Sequence, residues 1–137
     1  MMMDEFTGVD AAGRIDLASI EAAAQRIAPH IVTTPLLESP RLNEWLGFRL
    51  LIKPENLQHT GSFKLRGASN AIWSLDNTVK KVFAYSSGNH AQGVARAATS
   101  RGLHATILMP EDSPKVKIAG TRAFGGTVVT YDRYTEN

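Results

Sequence analysis

Cysteine is absent from all 137 residues, so no disulfide framework and no thiolate zinc site can hold this chain together. The scaffold must rest on packing, and a cytoplasmic location is compatible with that chemistry. Long apolar runs are missing too: no stretch approaches the length needed to span a bilayer. The first twelve residues lack a cationic start followed by an apolar run and carry Asp4, Glu5 and Asp10, which argues against a secretory signal. No internal repeat, low-complexity tract or flexible linker stands out. Charges of one sign never cluster. Lys and Arg exceed Asp and Glu by only 15 to 13, interspersed, so neither a nucleic-acid nor a membrane partner is implied.

What remains is the balance of a soluble globular protein, 43% apolar and 20% charged. Asp16 as cap, with Leu17, Ile20, Ala24 and Ile27 on one face and Pro29 at the end, predicts an amphipathic helix. Ser39, Pro40, Leu42, Trp45, Leu46 and Gly47 predict a shorter one. Thr33 to Leu36 reads as extended, because Thr34 precedes a proline. Phe48 to Ile52 reads as a strand, Glu55 to Gly61 as a loop and Ser62 to Leu75 as a helix.

From there the alternation is regular. Strands are predicted at 82–85, 105–109 and 127–131, with helices at 89–100 and 114–124 between them. That order predicts an α/β fold, a parallel sheet with flanking helices. The chain stops shortly after the last predicted strand, where another covering helix is expected, and this suggests truncation.

Two segments carry candidate chemistry. In Thr60-Gly61-Ser62-Phe63-Lys64-Leu65-Arg66-Gly67-Ala68, a lysine sits between apolar neighbours in the first turn of a helix. Partial desolvation there would favour its neutral, nucleophilic amine, although a lysine that reaches solvent while its stem packs fits the spacing better. In Ser86-Ser87-Gly88-Asn89-His90-Ala91-Gln92-Gly93, a strand passes into a helix. The carboxyl end of a parallel sheet is where ligands usually bind, and backbone N–H groups, two hydroxyls and a glycine free to turn could seat a carboxylate or phosphate. The plainer reading is a helix cap from Ser87 or Asn89.

Other signatures fail. Val94 and Ala95 stand where a phosphate loop requires lysine and serine or threonine. His30, His59, His90 and His104 lack metal-site spacing, and all but His90 read as ordinary surface or loop residues. A Ser62–Lys64 hydrolase pair is weak, since residues two apart point to different faces of a helix.

Taken together, Ile52 through Ala68 resembles the cofactor-lysine signature of the fold type II pyridoxal-phosphate enzymes, and Ser86 through Gly93 resembles their second signature. Thr34-Pro35-Leu36, Met109-Pro110-Glu111-Asp112, Pro114, Lys117 and Gly125-Gly126 match in order. Lys64-Leu65-Arg66-Gly67 resembles the threonine/serine dehydratases and serine racemases in particular.

The resemblance implies pyridoxal 5'-phosphate as cofactor, with Lys64 attached to its aldehyde and later acting as base toward the substrate α-proton. Phe63 would pack beside the ring and Asn89 would donate to its phenolic oxygen. Ser86, Ser87, Gly88, Asn89 and His90 would bind the substrate, and Ser87 would serve as acid/base on the opposite face. The substrate would be a hydroxy amino acid, threonine or serine, converted to a 2-oxo acid and ammonia; racemisation or a hydroxyaspartate substrate are alternatives within the family. A non-catalytic α/β module binding an amino acid or anion is the alternative outside it.

The resemblance further implies residues 1–78 as an incomplete part of a large domain and 79–137 as a nearly complete small one. A homo-oligomer or a complementary C-terminal chain would be the partner. Little activity is expected of these residues alone, and Leu17, Ile20, Ile27 and Trp45 are expected to lack apolar partners.

Overall fold

The computed structural model describes residues 15–136. The reading of Met1 to Ala12 as free of a secretory signal lies outside them. Helix α1 (Leu17–Ile27) starts where the Asp16 carboxylate accepts the Ser19 N–H at 2.7 Å, satisfying a donor the helix cannot. Helix α2 (Pro40–Leu46) is capped by Ser39, whose hydroxyl accepts from Leu42 N–H, and it stops at Gly47 with φ of 74°. That left-handed backbone suits a residue without Cβ.

Residues 32–36 belong to no helix or strand. They lead into strand β1 (Leu37–Glu38), which pairs antiparallel with β2 (Leu51–Ile52). The strand expected over 48–52 is therefore only its last two residues. Its partner is only two residues long, so the ladder has nothing further to bond. Glu55–Leu57 form a single 3-10 turn inside the expected loop.

Helix α3 (Lys64–Trp73) follows, then β3 (Lys81–Tyr85), α4 (Asn89–Ser100), β4 (His104–Pro110), α5 (Lys115–Ala123) and β5 (Thr127–Tyr131). The last three strands form one parallel sheet in the order β3-β4-β5. Tyr85 lies opposite Leu108 and Leu108 opposite Val129; one residue earlier, Ala84, Ile107 and Val128 align. Because side chains alternate across a strand, these two rows face opposite ways. The second row enters the core beneath α4, with Leu65, Ala68, Ile72, Ala91, Val94, Ala98 and Met109. Ile107 and Met109 are completely buried, each contributing roughly 2 kcal/mol of apolar transfer.

Small residues along α4 let it lie close to its neighbours. A Cβ on Gly93 would come within 3.2 Å of the Lys64 carbonyl oxygen and 3.3 Å of the Ala68 Cβ. The two helices are further joined by Arg101, whose guanidinium donates to the carbonyls of Ile72 and Leu75 and so caps the end of α3.

Leu17, Ile20 and Trp45 are exposed as expected, but Ile27 is only 6% exposed. It lies at the end of α1 that meets α3, where Arg26 donates to Asn70. His30 departs from its reading as an ordinary loop residue, since its ring stacks on Trp73 with centroids 3.7 Å apart. Among the described residues no helix is long and apolar enough to cross a membrane, and no group of three or more His, Asp or Glu is placed to hold a metal.

Candidate active site

Leu65, Ala68 and Ile72 turn α3 inward, and that fixes where its first residue can point. Lys64 faces solvent with its Nζ 5.4 Å from the centroid of the Phe63 ring. Phe63 is itself 60% exposed, so the desolvation expected of the lysine is absent from this chain's own packing. The amine makes no hydrogen bond or ion pair among the described residues, which leaves its lone pair free for chemistry once deprotonated.

The second segment is built at the carboxyl end of β3. Ser86 N–H continues the ladder by donating to the Leu108 carbonyl at 3.1 Å. The Ser86 hydroxyl then accepts from Gly88 N–H at 3.2 Å and Ala91 N–H at 3.3 Å. The cap of α4 therefore comes from Ser86, not from Ser87 or Asn89. A hydroxyl two residues before Gly88 can fold back over the helix start, a geometry that residue type alone does not disclose. Gly88 does not use a left-handed backbone, its φ being −153°, so the expected turning freedom is not called upon. Ser87, Asn89 and His90 are left exposed.

Close packing at Gly93 sets these two segments side by side. Phe63, Lys64, Arg66, Gly67, Ala68 and His90 line one cleft of about 340 Å³. Of the residues expected at the site, Phe63, Lys64 and His90 thus share a cavity, whereas Ser86, Ser87, Gly88 and Asn89 form the adjoining turn without lining it. Asn89 instead presents its carbonyl oxygen to Lys117 Nζ on α5. A wider groove of about 420 Å³ runs along α2 between Ser39, Arg41, Leu42 and Trp45. Ser39 is committed there to capping, and these four side chains supply no acid–base pair.

Behind the lysine lies a polar clamp that the spacing of residues did not reveal. Arg66 donates twice to the Glu55 carboxylate, at 2.8 and 2.7 Å, and also to the Thr34 hydroxyl. Thr34 in turn donates to Glu55, while Lys53 Nζ donates to the Thr34 carbonyl at 2.9 Å. The Arg66 hydrogen bonds outweigh desolvation and hold the Glu55 carboxyl down at about 2. The clamp ties the 32–36 segment and the 3-10 turn to the first turn of α3, which also carries Lys64. Thr60 and Ser62, in the turn just before, bury hydroxyls that have no partner among the described residues.

Comparison with known proteins bears on this arrangement directly. Residues 27–137 match the profile of the family described as pyridoxal-phosphate dependent enzyme. The chain belongs to that family. An L-threo-3-hydroxyaspartate ammonia-lyase of Pseudomonas sp is 50% identical over 117 residues, covering 84% of this chain and 37% of the relative. Among solved structures, maize serine racemase superposes with a TM-score of 0.81 at 41% identity, covering 85% of this chain and 36% of that one. The T.th. threonine deaminase gives 0.77 at 51% identity, covering 88% and 38%. The chain thus spans little more than a third of the length of these pyridoxal-phosphate enzymes, and its α/β architecture with a parallel sheet and flanking helices is part of theirs.

The residues present suit the family's cofactor. A primary amine with no partner among the described residues stands beside an exposed aromatic ring at a cleft, and a carboxamide and a helix start lie on the neighbouring turn. The turn before the lysine buries two hydroxyls, of Thr60 and Ser62, without partners among the described residues, as expected where a further polar group completes the surroundings.

Proposed function

We propose that this chain carries the lysine-bearing side of the active site of a pyridoxal-phosphate-dependent ammonia-lyase that acts on small 3-hydroxy amino acids such as threonine and serine. The observation that carries the reading is the shared cleft: close packing at Gly93 brings the free amine of Lys64 and the turn ending at His90 to one opening. When bound, the cofactor supplies an electrophilic aldehyde and a ring that delocalises negative charge from the substrate α-carbon.

The chain's own residues do the rest. Lys64 tethers the cofactor and, once its amine is free, takes the α-proton on one face. Phe63 flanks the ring, and Asn89 donates to its phenolic oxygen. The hydroxyl of Ser87 and the N–H groups at the start of α4 receive the substrate carboxylate, where unpaired backbone donors favour an anion. Ser86 shapes that turn from behind, since its hydroxyl is already engaged with Gly88 and Ala91. Ser87, exposed on the same turn, would exchange a proton on the opposite face, which would make racemisation the side reaction. Loss of the β-hydroxyl as water after α-proton removal gives an enamine, and its hydrolysis by water yields a 2-oxo acid and ammonia. Relatives named as hydroxyaspartate ammonia-lyase, serine racemase and threonine deaminase support this range of substrates without choosing among them.

The test is covalent. Incubation with pyridoxal phosphate followed by borohydride reduction should place the label on Lys64, and Lys64→Ala should abolish it. Label spread evenly over the surface lysines, unchanged in Lys64→Ala, would overturn the assignment and leave a non-catalytic binding module.

A further inference from the structure

Asn89 opens α4, and its side-chain oxygen accepts a hydrogen bond from Lys117 Nζ in α5. The same ammonium lies 3.5 Å from Gln92 Oε1, one turn further along α4. Gln92 is only 7% exposed, so its amide is confined. Its confinement depends on α5 as well: a Cβ on Gly120, one turn after Lys117, would lie 2.0 Å from Gln92 Nε2. Helix α5 thus meets Gln92 with a lysine on one turn and bare backbone on the next.

An ammonium group has donors and no acceptor, whereas a carboxamide has a donating and an accepting end. Only the oxygen of Asn89 can face Lys117 favourably, so the NH2 must turn away from α5. We propose that Lys117 is a positioning residue: it fixes the Asn89 carboxamide so that the NH2 is offered to the phenolic oxygen of the cofactor, with Gln92 as the second acceptor that holds the ammonium in place. The proposal rests on the cofactor reading given above. Without Lys117 the amide is free to rotate, and its oxygen would then oppose another acceptor in part of the population, weakening the hydrogen bond Asn89 is there to make. Lys117 is not among the residues that line the cleft, so its action passes through Asn89.

Three variants test this: Lys117→Met, Asn89→Ala and the double variant, with Lys117→Arg as the conservative replacement. The first readout needs no cofactor. The side-chain NH2 resonances of Asn89 should shift and broaden in Lys117→Met and return toward their original positions in Lys117→Arg. The second uses chain loaded with pyridoxal phosphate, following the pH at which the visible absorption of the bound cofactor converts. Lys117→Met and Asn89→Ala should each move that pH, by about one unit for a charge-assisted contact, and the double variant should move it no further than Asn89→Ala alone. Unmoved amide resonances in Lys117→Met, or additive shifts in the double variant, would overturn the proposal. Failure of the unsubstituted chain to take up cofactor on Lys64 would instead remove the functional reading, and the amide resonances would still decide whether Lys117 orients Asn89.

Discussion

Protonating Glu55 would take away the acceptor on which Arg66 and Thr34 converge. Its carboxyl is held near 2 by the Arg66 hydrogen bonds, against an ordinary value of 4.5. A depressed carboxylate stabilises the fold fully above its unfolded value, and that contribution is lost as pH falls through the folded one. Denaturant midpoints should therefore drop between roughly pH 4.5 and 2, by about 1 kcal/mol once solvent screening is allowed for. Glu55→Gln should lower stability at neutral pH and flatten this step; an unchanged acid profile in Glu55→Gln would count against the clamp. At this scale the sequence singled out Lys64 as a candidate, because its motif is long and contiguous. It was silent on the pairing of Glu55 with Arg66, eleven residues apart, and with Thr34, because such partners meet only after the loop between them has folded. The α4 cap shows a subtler limit: Ser86 and Ser87 are the same residue type, and only the backbone path decides which hydroxyl turns inward. Ser86→Ala should cost about 1 kcal/mol, and Ser87→Ala close to nothing in stability; thermal unfolding of the two variants side by side would show it.

The seam between α3 and α4 is where elements become a site. Gly93 lies against backbone of α3, while Gly67, in the interior of α3 itself, has nothing within 4 Å of a would-be Cβ. The two glycines should therefore respond oppositely. Gly67→Ala gains helix propensity and should stabilise by about 0.5–1 kcal/mol. Gly93→Val must push α3 away and should destabilise by about 2 kcal/mol, with less label reaching Lys64 after borohydride. Equal melting temperatures for both would mean that the seam yields easily and does not set the lysine. Helix and strand periods marked α1, α2, α4 and β5 closely, since their stripes, caps and stops agree with one another. The segment at 48–52 was overread, because β-forming residues specify a strand only as far as a partner runs beside them, and that partner is Leu37–Glu38.

On the scale of the whole molecule, the described residues cover the parallel sheet on one face only. The row Ala84, Ile107 and Val128 lies beneath α4, but Tyr85, Leu108 and Val129 on the opposite face are exposed, as is Phe83, at 72%. Parallel sheets are stable with both faces buried, and a contiguous apolar patch of aromatic and aliphatic side chains in water favours association. The pyridoxal-phosphate relatives are nearly three times as long as the stretch this chain matches, so their remaining length offers material for such a covering layer. The 137-residue polypeptide should accordingly self-associate with rising concentration and bind a hydrophobic dye. Phe83→Ser combined with Val129→Thr should reduce both, leaving the core row and the Lys64 cleft in place. Sedimentation velocity across a concentration series separates the alternatives. Association that persists in the double variant would locate the sticky surface elsewhere, with Trp45, Leu17 and Ile20 the next face to polarise.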